Sequence, residues 1–329
     1  MKKTQGNEDR QLALPAILRY APYAVLFTFI SLCLCGNPVK EAERPVAKTV
    51  YEYFVDLSKY PRCSGSERPA SDFLVAFGRA HGLDTRRDEA LNVLIKKGGS
   101  LGRENEPPII LQAHIDMVCR KDDDVEHDFG RDPIIPVIND DWITAQKRTT
   151  LGADGGGGVS MIMAVLAASG LSHPPIEAVF TTEEEFGLLG AERFDVSWLS
   201  GGRLLNLDMV REGAIVVGDG HVDGPDVVVP IAATAQMKAA VIPEWPYNPD
   251  SPLRDKMVDV FREYYGYEPM IAGLQHAAVE CSMFGSKMPD ADMASIGPDI
   301  IDNHTPDERM SFSSYNRVYG YLVILLERL

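Results

Sequence analysis

Leu111-Gln-Ala-His-Ile-Asp-Met-Val118 is the stretch from which the rest of the chain can be read. A short apolar run reaches His114, and one spacer later comes Asp116. Residues two apart on an extended strand point to the same face, so this imidazole and this carboxylate leave the strand together. A carboxylate beside a histidine fixes its tautomer and makes it a better metal ligand. The same pair also fits a buried histidine at a strand end with a solvated aspartate, and only the surrounding sequence separates the two.

Working outward, strand-like runs are expected at residues 92–96 and 108–113, with turn residues between them. Helical spacing is expected upstream, over 46–60 (Val50, Tyr53, Phe54, Leu57) and 68–81 (Phe73, Leu74, Ala76, Phe77). Downstream, Thr149-Thr-Leu-Gly-Ala-Asp-Gly-Gly-Gly-Gly158 leads into an apolar helix running to Ala168. A glycine run before a helix can cradle a phosphate. Here no GxGxxG follows a strand, no Walker lysine is present, and Asp154 would repel an anion. The loop instead presents Asp154 where the backbone passes close to something, or uses it near a helix N-cap.

The β-rich run at 176–181 is followed by Glu183-Glu-Glu-Phe-Gly187, and Leu204-Leu-Asn-Leu-Asp208 is another strand ending in a carboxylate. Three adjacent carboxylates repel one another. They make either an exposed turn or a cation site in which one ligates and a neighbour stays free as a base. Helices are expected at 251–265, 276–284 and 314–329, and strands at 270–272 and 292–296, with His304-Thr-Pro-Asp-Glu308 as a loop. The fold class is α/β, with a mixed, mostly parallel sheet flanked by helices. Functional side chains fall at the carboxyl ends of strands, where open α/β sheets place their sites.

Composition narrows the functions. The chain has 329 residues, 45% of them apolar, enough for one large domain or two modest ones. A net charge of −16 and the lack of a basic patch exclude nucleic acid as a partner. Five cysteines (Cys33, Cys35, Cys63, Cys119, Cys281) make an odd count in a long chain, so reduced thiols are expected. Residues 1–47 differ from the rest. A polar start leads to an apolar tract densest over 21–35, short for a membrane span and suited to a signal-peptide core. Export signal, single anchor and sequence outside the working protein all stay open, and the domain proper is expected over 48–329.

His114, Asp116, Asp154, Glu184, Glu185, Asp208 and His304 together offer two imidazoles and five carboxylates at strand ends and loops. That donor set suits Zn²⁺ or a similar divalent ion, and is large enough for two ions sharing a carboxylate. His276 and Glu280, at i, i+4 on the expected 276–284 helix, are candidates for a substrate pocket or for the core.

The ordered motifs 111–118, 150–154, 183–187, 206–208, 276–281 and 304–308 resemble the M20 family of di-zinc metallopeptidases, in its aminoacyl-histidine dipeptidase branch. The resemblance extends over residues 48–329. It implies two divalent ions, zinc with manganese or cobalt as alternatives, and hydrolysis of short peptides. His114 and Asp208 would hold one ion, Glu185 and His304 the other, and Asp154 would bridge them. Asp116 would orient His114, Glu184 would be the general base, and Glu183 would be structural. A cytoplasmic location is implied unless residues 1–47 direct export or anchoring. Two departures stand out. Gly155 follows the bridging aspartate where family members have Asn or Asp after a strained, often cis, peptide. Only residues 209–303, 95 in number, separate the Asp208 and His304 ligands, so the family's lid and dimerisation domain looks deleted near 231–238. The family homodimer is therefore open for this chain. Alternatives to a working dipeptidase are a metal-binding remnant without efficient catalysis, or another amide hydrolase such as an aminoacylase.

Overall fold

The structure is a computed structural model describing residues 48–219, 242–274 and 278–329. The apolar tract within 1–47, the lid junction near 231–238 and His276 lie outside the described residues. Among the described residues, no helix is long and apolar enough to cross a membrane.

The chain begins with helices α1 (Val50–Leu57) and α2 (Arg68–Ala80), then strands β1 (Asp84–Arg87), β2 (Val93–Lys97) and β3 (Ile109–His114). A hairpin of β4 (Pro136–Asn139) and β5 (Trp142–Ala145) precedes α3 (Gly156–Ala167) and β6 (Ile176–Thr181). Next come the short α4 (Leu189–Arg193), β7 (Arg203–Asn206), β8 (Ala214–Asp219), α5 (Pro252–Tyr265) and β9 (Met270–Leu274). The chain ends with α6 (Cys281–Lys287), β10 (Asp292–Ser295), β11 (Ile300–Ile301), β12 (Arg309–Ser311) and α7 (Phe312–Arg328).

The main sheet has eight strands in the order β1-β2-β6-β3-β7-β10-β8-β9. Its centre, β6-β3-β7-β10, is parallel, and β1, β2 and the β10–β8 pairing supply the antiparallel parts. All six residues of β3 and all six of β6 are buried, as expected of strands covered on both faces. Alternation along β3 divides the core. Ile109, Leu111 and Ala113 pack with residues of α1, α3, α5 and α7. Ile110 faces the other way, into a cluster with Leu188, Phe194 and Phe284.

Local chemistry explains the helices that matter most for the site. Thr49 and Glu52 form a capping box at the start of α1, whose Val50, Tyr53, Phe54 and Leu57 line its buried face. Helix α3 is apolar all round and buried from residue 156 to 166, as a helix between other layers must be. It lies so close to the sheet that a Cβ at Gly158 would stand 2.1 Å from the Leu207 carbonyl oxygen. A second sheet, β11-β12-β5-β4, is antiparallel throughout. Its β12–β5 register, Arg309 opposite Thr144, sets the segment ending at Glu308 beside the one leading to Asp154.

Two expectations need correction. Cys63 and Cys119 form a disulfide rather than standing as reduced thiols. An isolated parallel bridge between Cys63 and Met117 brings them together, with the Met117 amide donating to the Arg62 carbonyl at 3.0 Å. Helix α6 begins at Cys281, so Glu280 is its N-cap residue and not a position one turn inside a helix.

The disulfide spans 56 residues of sequence. For a loop of that size the chain-entropy model gives a contribution of about 4 kcal/mol, and measured values commonly run to about 2–4 kcal/mol. Replacing both cysteines by serine should lower unfolding stability by roughly 2–4 kcal/mol. Denaturant unfolding of the oxidised protein against the double variant measures this, and equal midpoints would contradict it.

Candidate metal centre

Each candidate ligand is delivered by a strand end or the loop after one. His114 is the last residue of β3. Asp208 lies two residues beyond β7. Glu184 and Glu185 open a single 3₁₀ turn (Glu184–Phe186) just after β6. Asp154 stands before Gly155, the N-cap of α3. His304 follows β11 and has φ 64. Glu183, immediately before the acidic turn, has φ 49. Left-handed backbone at a non-glycine residue costs of order 1–3 kcal/mol and persists only where the surroundings enforce it. Four other described non-glycine residues, Leu91, Asp140, Leu188 and Asp302, share this backbone region, so it is not peculiar to the cluster.

The side chains converge. His114 Nε2 is 3.3 Å from Asp154 Oδ1 and 3.2 Å from Asp208 Oδ1. His304 Nε2 is 3.0 Å from Asp154 Oδ2 and 2.8 Å from Glu185 Oε1. Asp154 thus turns one carboxylate oxygen to each imidazole. Behind His114, Asp116 Oδ1 lies 3.3 Å from Nδ1. Asp116 is itself fixed: it accepts from the Ser64 hydroxyl at 2.7 Å and from the amides of Glu184 and Glu185 at 3.1 and 3.2 Å. One fully buried carboxylate therefore stands beside the His114 ring and holds the backbone that carries both glutamates.

A divalent cation fits this donor set. Asp116 favours a proton on Nδ1 of His114, which leaves the Nε2 lone pair facing two carboxylate oxygens. His304 Nε2 also faces two carboxylate oxygens, and one ring N–H has a single proton to donate. A cation relieves both conflicts. In a tetrahedral site with ligand bonds of about 2.0–2.2 Å, adjacent ligand atoms lie roughly 3.4 Å apart, close to the separations seen. His114, Asp154 and Glu185 also place ligand atoms within 4.8 Å of one another, a group that could hold a metal ion.

The electrostatics agree. Burial raises Glu184 well above the usual carboxylate range against the opposing pull of His114, with Glu185 and Asp208 adding to the rise. Burial likewise pushes Glu185 up to about 7 and raises Asp208. Burial acts to lower His304, but Asp154 and Glu185 overcome it and push it up to about 11. His114 is raised well above its ordinary value, with Asp208 and Glu184 outweighing its burial. Carboxylates and imidazoles that all hold protons more tightly mark a pocket short of positive charge. Asp154 goes the other way: burial would raise it, but the two imidazoles outweigh burial and hold it well below the usual range.

The remaining candidates have other hydrogen-bond partners. Glu183 donates its amide to Glu67 at 3.1 Å and pairs with Arg193. Glu280 is buried under the strands, where its carboxylate accepts from Thr181 Oγ1 at 2.6 Å and from Gln112. Burial pushes it up to about 8, and it lies close enough to the cluster that the charges of His114 and Asp208 act on it. Sequence reasoning missed three neighbours. Asn303 donates to Asp154 Oδ2 at 2.8 Å. Arg62 donates to the carbonyls of Ile115, Asp116 and Gly152 at 3.1, 3.3 and 2.6 Å. The third is Glu308, the last residue of the 304–308 motif. Its carboxylate accepts from the amides of Leu151, Gly152, Ala153 and Asp154 at 2.8–3.2 Å.

Comparison with known proteins gives the family and the fold. The model of Peptidase family M20/M25/M40 matches residues 110–328. The cytosol non-specific dipeptidase of Escherichia coli (strain K12) is 38% identical over 169 residues, 51% of this chain and 35% of that protein. The chain thus spans about a third of that relative's length. Among solved structures, the aminoacylhistidine dipeptidase of Vibrio alginolyticus aligns with a TM-score of 0.75 at 22% identity, covering 84% of this chain and 96% of that one. A Staphylococcus aureus tripeptidase aligns with a TM-score of 0.68 at 17% identity, covering 84% and 97%. At these identities the two structures speak to the fold.

Gly155 gives a local test. It has φ 62, and a Cβ there would stand 2.5–2.6 Å from three atoms of the His114 ring. All described peptide bonds, including those around it, are trans. Gly155→Ala should cost roughly 1–3 kcal/mol of stability through overpacking and backbone strain. The variant's thermal unfolding measures it, and an unchanged melting temperature would contradict the close approach.

Proposed function

The chain belongs to peptidase family M20/M25/M40, and from that membership we propose that it is a metal-dependent dipeptidase working through a two-ion centre. One observation carries the reading: Asp154 directs its two oxygens to two different buried imidazoles, each also facing a second carboxylate. His114 and Asp208 would hold one ion, His304 and Glu185 the other, and Asp154 both. Zinc suits this mixture of imidazole and carboxylate, and manganese or cobalt are the alternatives. The substrate class follows the Escherichia coli relative, a non-specific dipeptidase, with aminoacyl-histidine dipeptides among the first to assay.

Two ions bound together would lower the pKa of a shared water and polarise the scissile carbonyl. The protein's own part falls to Glu184 and Asp116. Glu184 accepts the proton of the attacking water as its oxygen bonds to the carbonyl carbon. It then returns a proton to the amine as the C–N bond breaks. Asp116 holds His114 and, through two amides, the turn bearing Glu184 and Glu185. The short 209–303 connection supports a centre without the family's lid, which makes metal binding and turnover separate claims. A metal-binding remnant is the second reading.

Purified protein assayed on a dipeptide panel, with and without Zn²⁺, Mn²⁺ or Co²⁺, tests the reading. Metal-dependent turnover is expected, and two bound ions without turnover would favour the remnant. Glu184→Gln should lower turnover by about 10²–10⁴-fold while leaving bound metal unchanged; loss of metal would show that the base has been misassigned. His114→Ala with His304→Ala should abolish stoichiometric metal binding, measured by elemental analysis. Metal retained in that double variant would contradict the centre.

A further inference from the structure

His114, Asp154 and His304 come from three separate segments: the end of β3, the loop before α3, and the loop between β11 and β12. For one carboxylate to bridge two ions, these segments must be held to within a fraction of an ångström of one another. Two buried charged residues, neither of them a ligand, join all three. Arg62 is 2% exposed. It donates to the carbonyls of Ile115 and Asp116, just past His114, and to the carbonyl of Gly152 in the Asp154 loop. Glu308 is 3% exposed and sits four residues after His304. It accepts from four consecutive amides, Leu151 to Asp154. Gly152 is gripped from both sides, its carbonyl by the guanidinium and its amide by the carboxylate.

Resting on the two-ion reading above, we propose that Arg62 and Glu308 are positioning residues: together they brace the 151–154 loop so that Asp154 can serve both metal positions at once. Arg62 ties the loop to the His114 segment, and Glu308 ties it to the His304 segment. Charge-assisted hydrogen bonds to backbone are strong and directional, and a planar guanidinium reaching three carbonyls has no equivalent in a lysine. A glutamine at 308 keeps the shape but turns an NH₂ group toward two of the four amides, so donor meets donor. Loading of a single ion needs only one histidine and its carboxylates. Loading of the pair needs the brace.

The test is Mn²⁺ titration of the full chain, followed by electron paramagnetic resonance, for wild type, Glu308→Gln and Arg62→Lys, with melting temperatures recorded for all three. The wild type should bind two Mn²⁺ and give the broadened spectrum of an exchange-coupled pair. Each variant should bind its first ion within about threefold of wild type, bind its second at least tenfold more weakly, and give the six-line spectrum of isolated Mn²⁺. A uniform loss of stability without effect on the bridge would leave the coupled spectrum intact. Two ions bound at wild-type affinity with that spectrum, in both variants, would overturn the proposal. Failure of both variants to fold would assign the pair to the fold and overturn it too. A wild type that binds no Mn²⁺ contradicts the two-ion reading itself, a failure visible before any variant is made.

Discussion

Asp154 is the side chain on which the other features depend. It is the single group that touches both halves of the cluster, with one oxygen toward His114 and the other toward His304. A carboxylate in that position gains from both imidazoles, while the carboxylates beside it, Glu184, Glu185 and Asp208, are pushed to hold their protons. Bringing like charges together in a buried site is costly unless positive charge enters with them. A cation held by the cluster would offset that cost.

The fold supplies the positions economically. Three adjacent parallel strands, β6, β3 and β7, end on one edge of the sheet and present Glu184 and Glu185, His114, and Asp208 in turn. The second sheet carries His304 in the loop between β11 and β12 and sets the register between the Asp154 loop and the Glu308 segment. The Cys63–Cys119 disulfide and the Cys63–Met117 bridge hold the chain around Arg62 and Ser64 against the residues that follow Asp116. Binding chemistry and the disulfide thus meet within a few residues of one another.

Much of this was legible in the sequence, for physical reasons. Strands β3, β6 and β7 are apolar runs that end at charged residues, so both their existence and their carboxyl ends could be read from the residues alone. The 176–181 run became β6 with the same bounds. Other features had no such signal. The second sheet is built from strands of two to four residues, partly exposed and without clear alternation, too short to stand out from loop. Cys63 and Cys119 are distant in sequence and meet only through a tertiary bridge. Glu280 was expected inside a helix, but the helix starts one residue later, and the carboxylate turns into the sheet beneath His114. Arg62 reads like any other arginine until its three carbonyl partners are seen, and Glu308 reads as a polar loop residue until its four amides are seen.

The central claim is that Asp154 bridges two metal ions. Anomalous diffraction at the zinc edge, from crystals grown with excess Zn²⁺, tests it most directly. The account predicts two peaks about 3.5–4 Å apart, one between His114 and Asp208 and one between His304 and Glu185, with Asp154 reaching both. A single peak, or zinc bound away from Asp154, would contradict it.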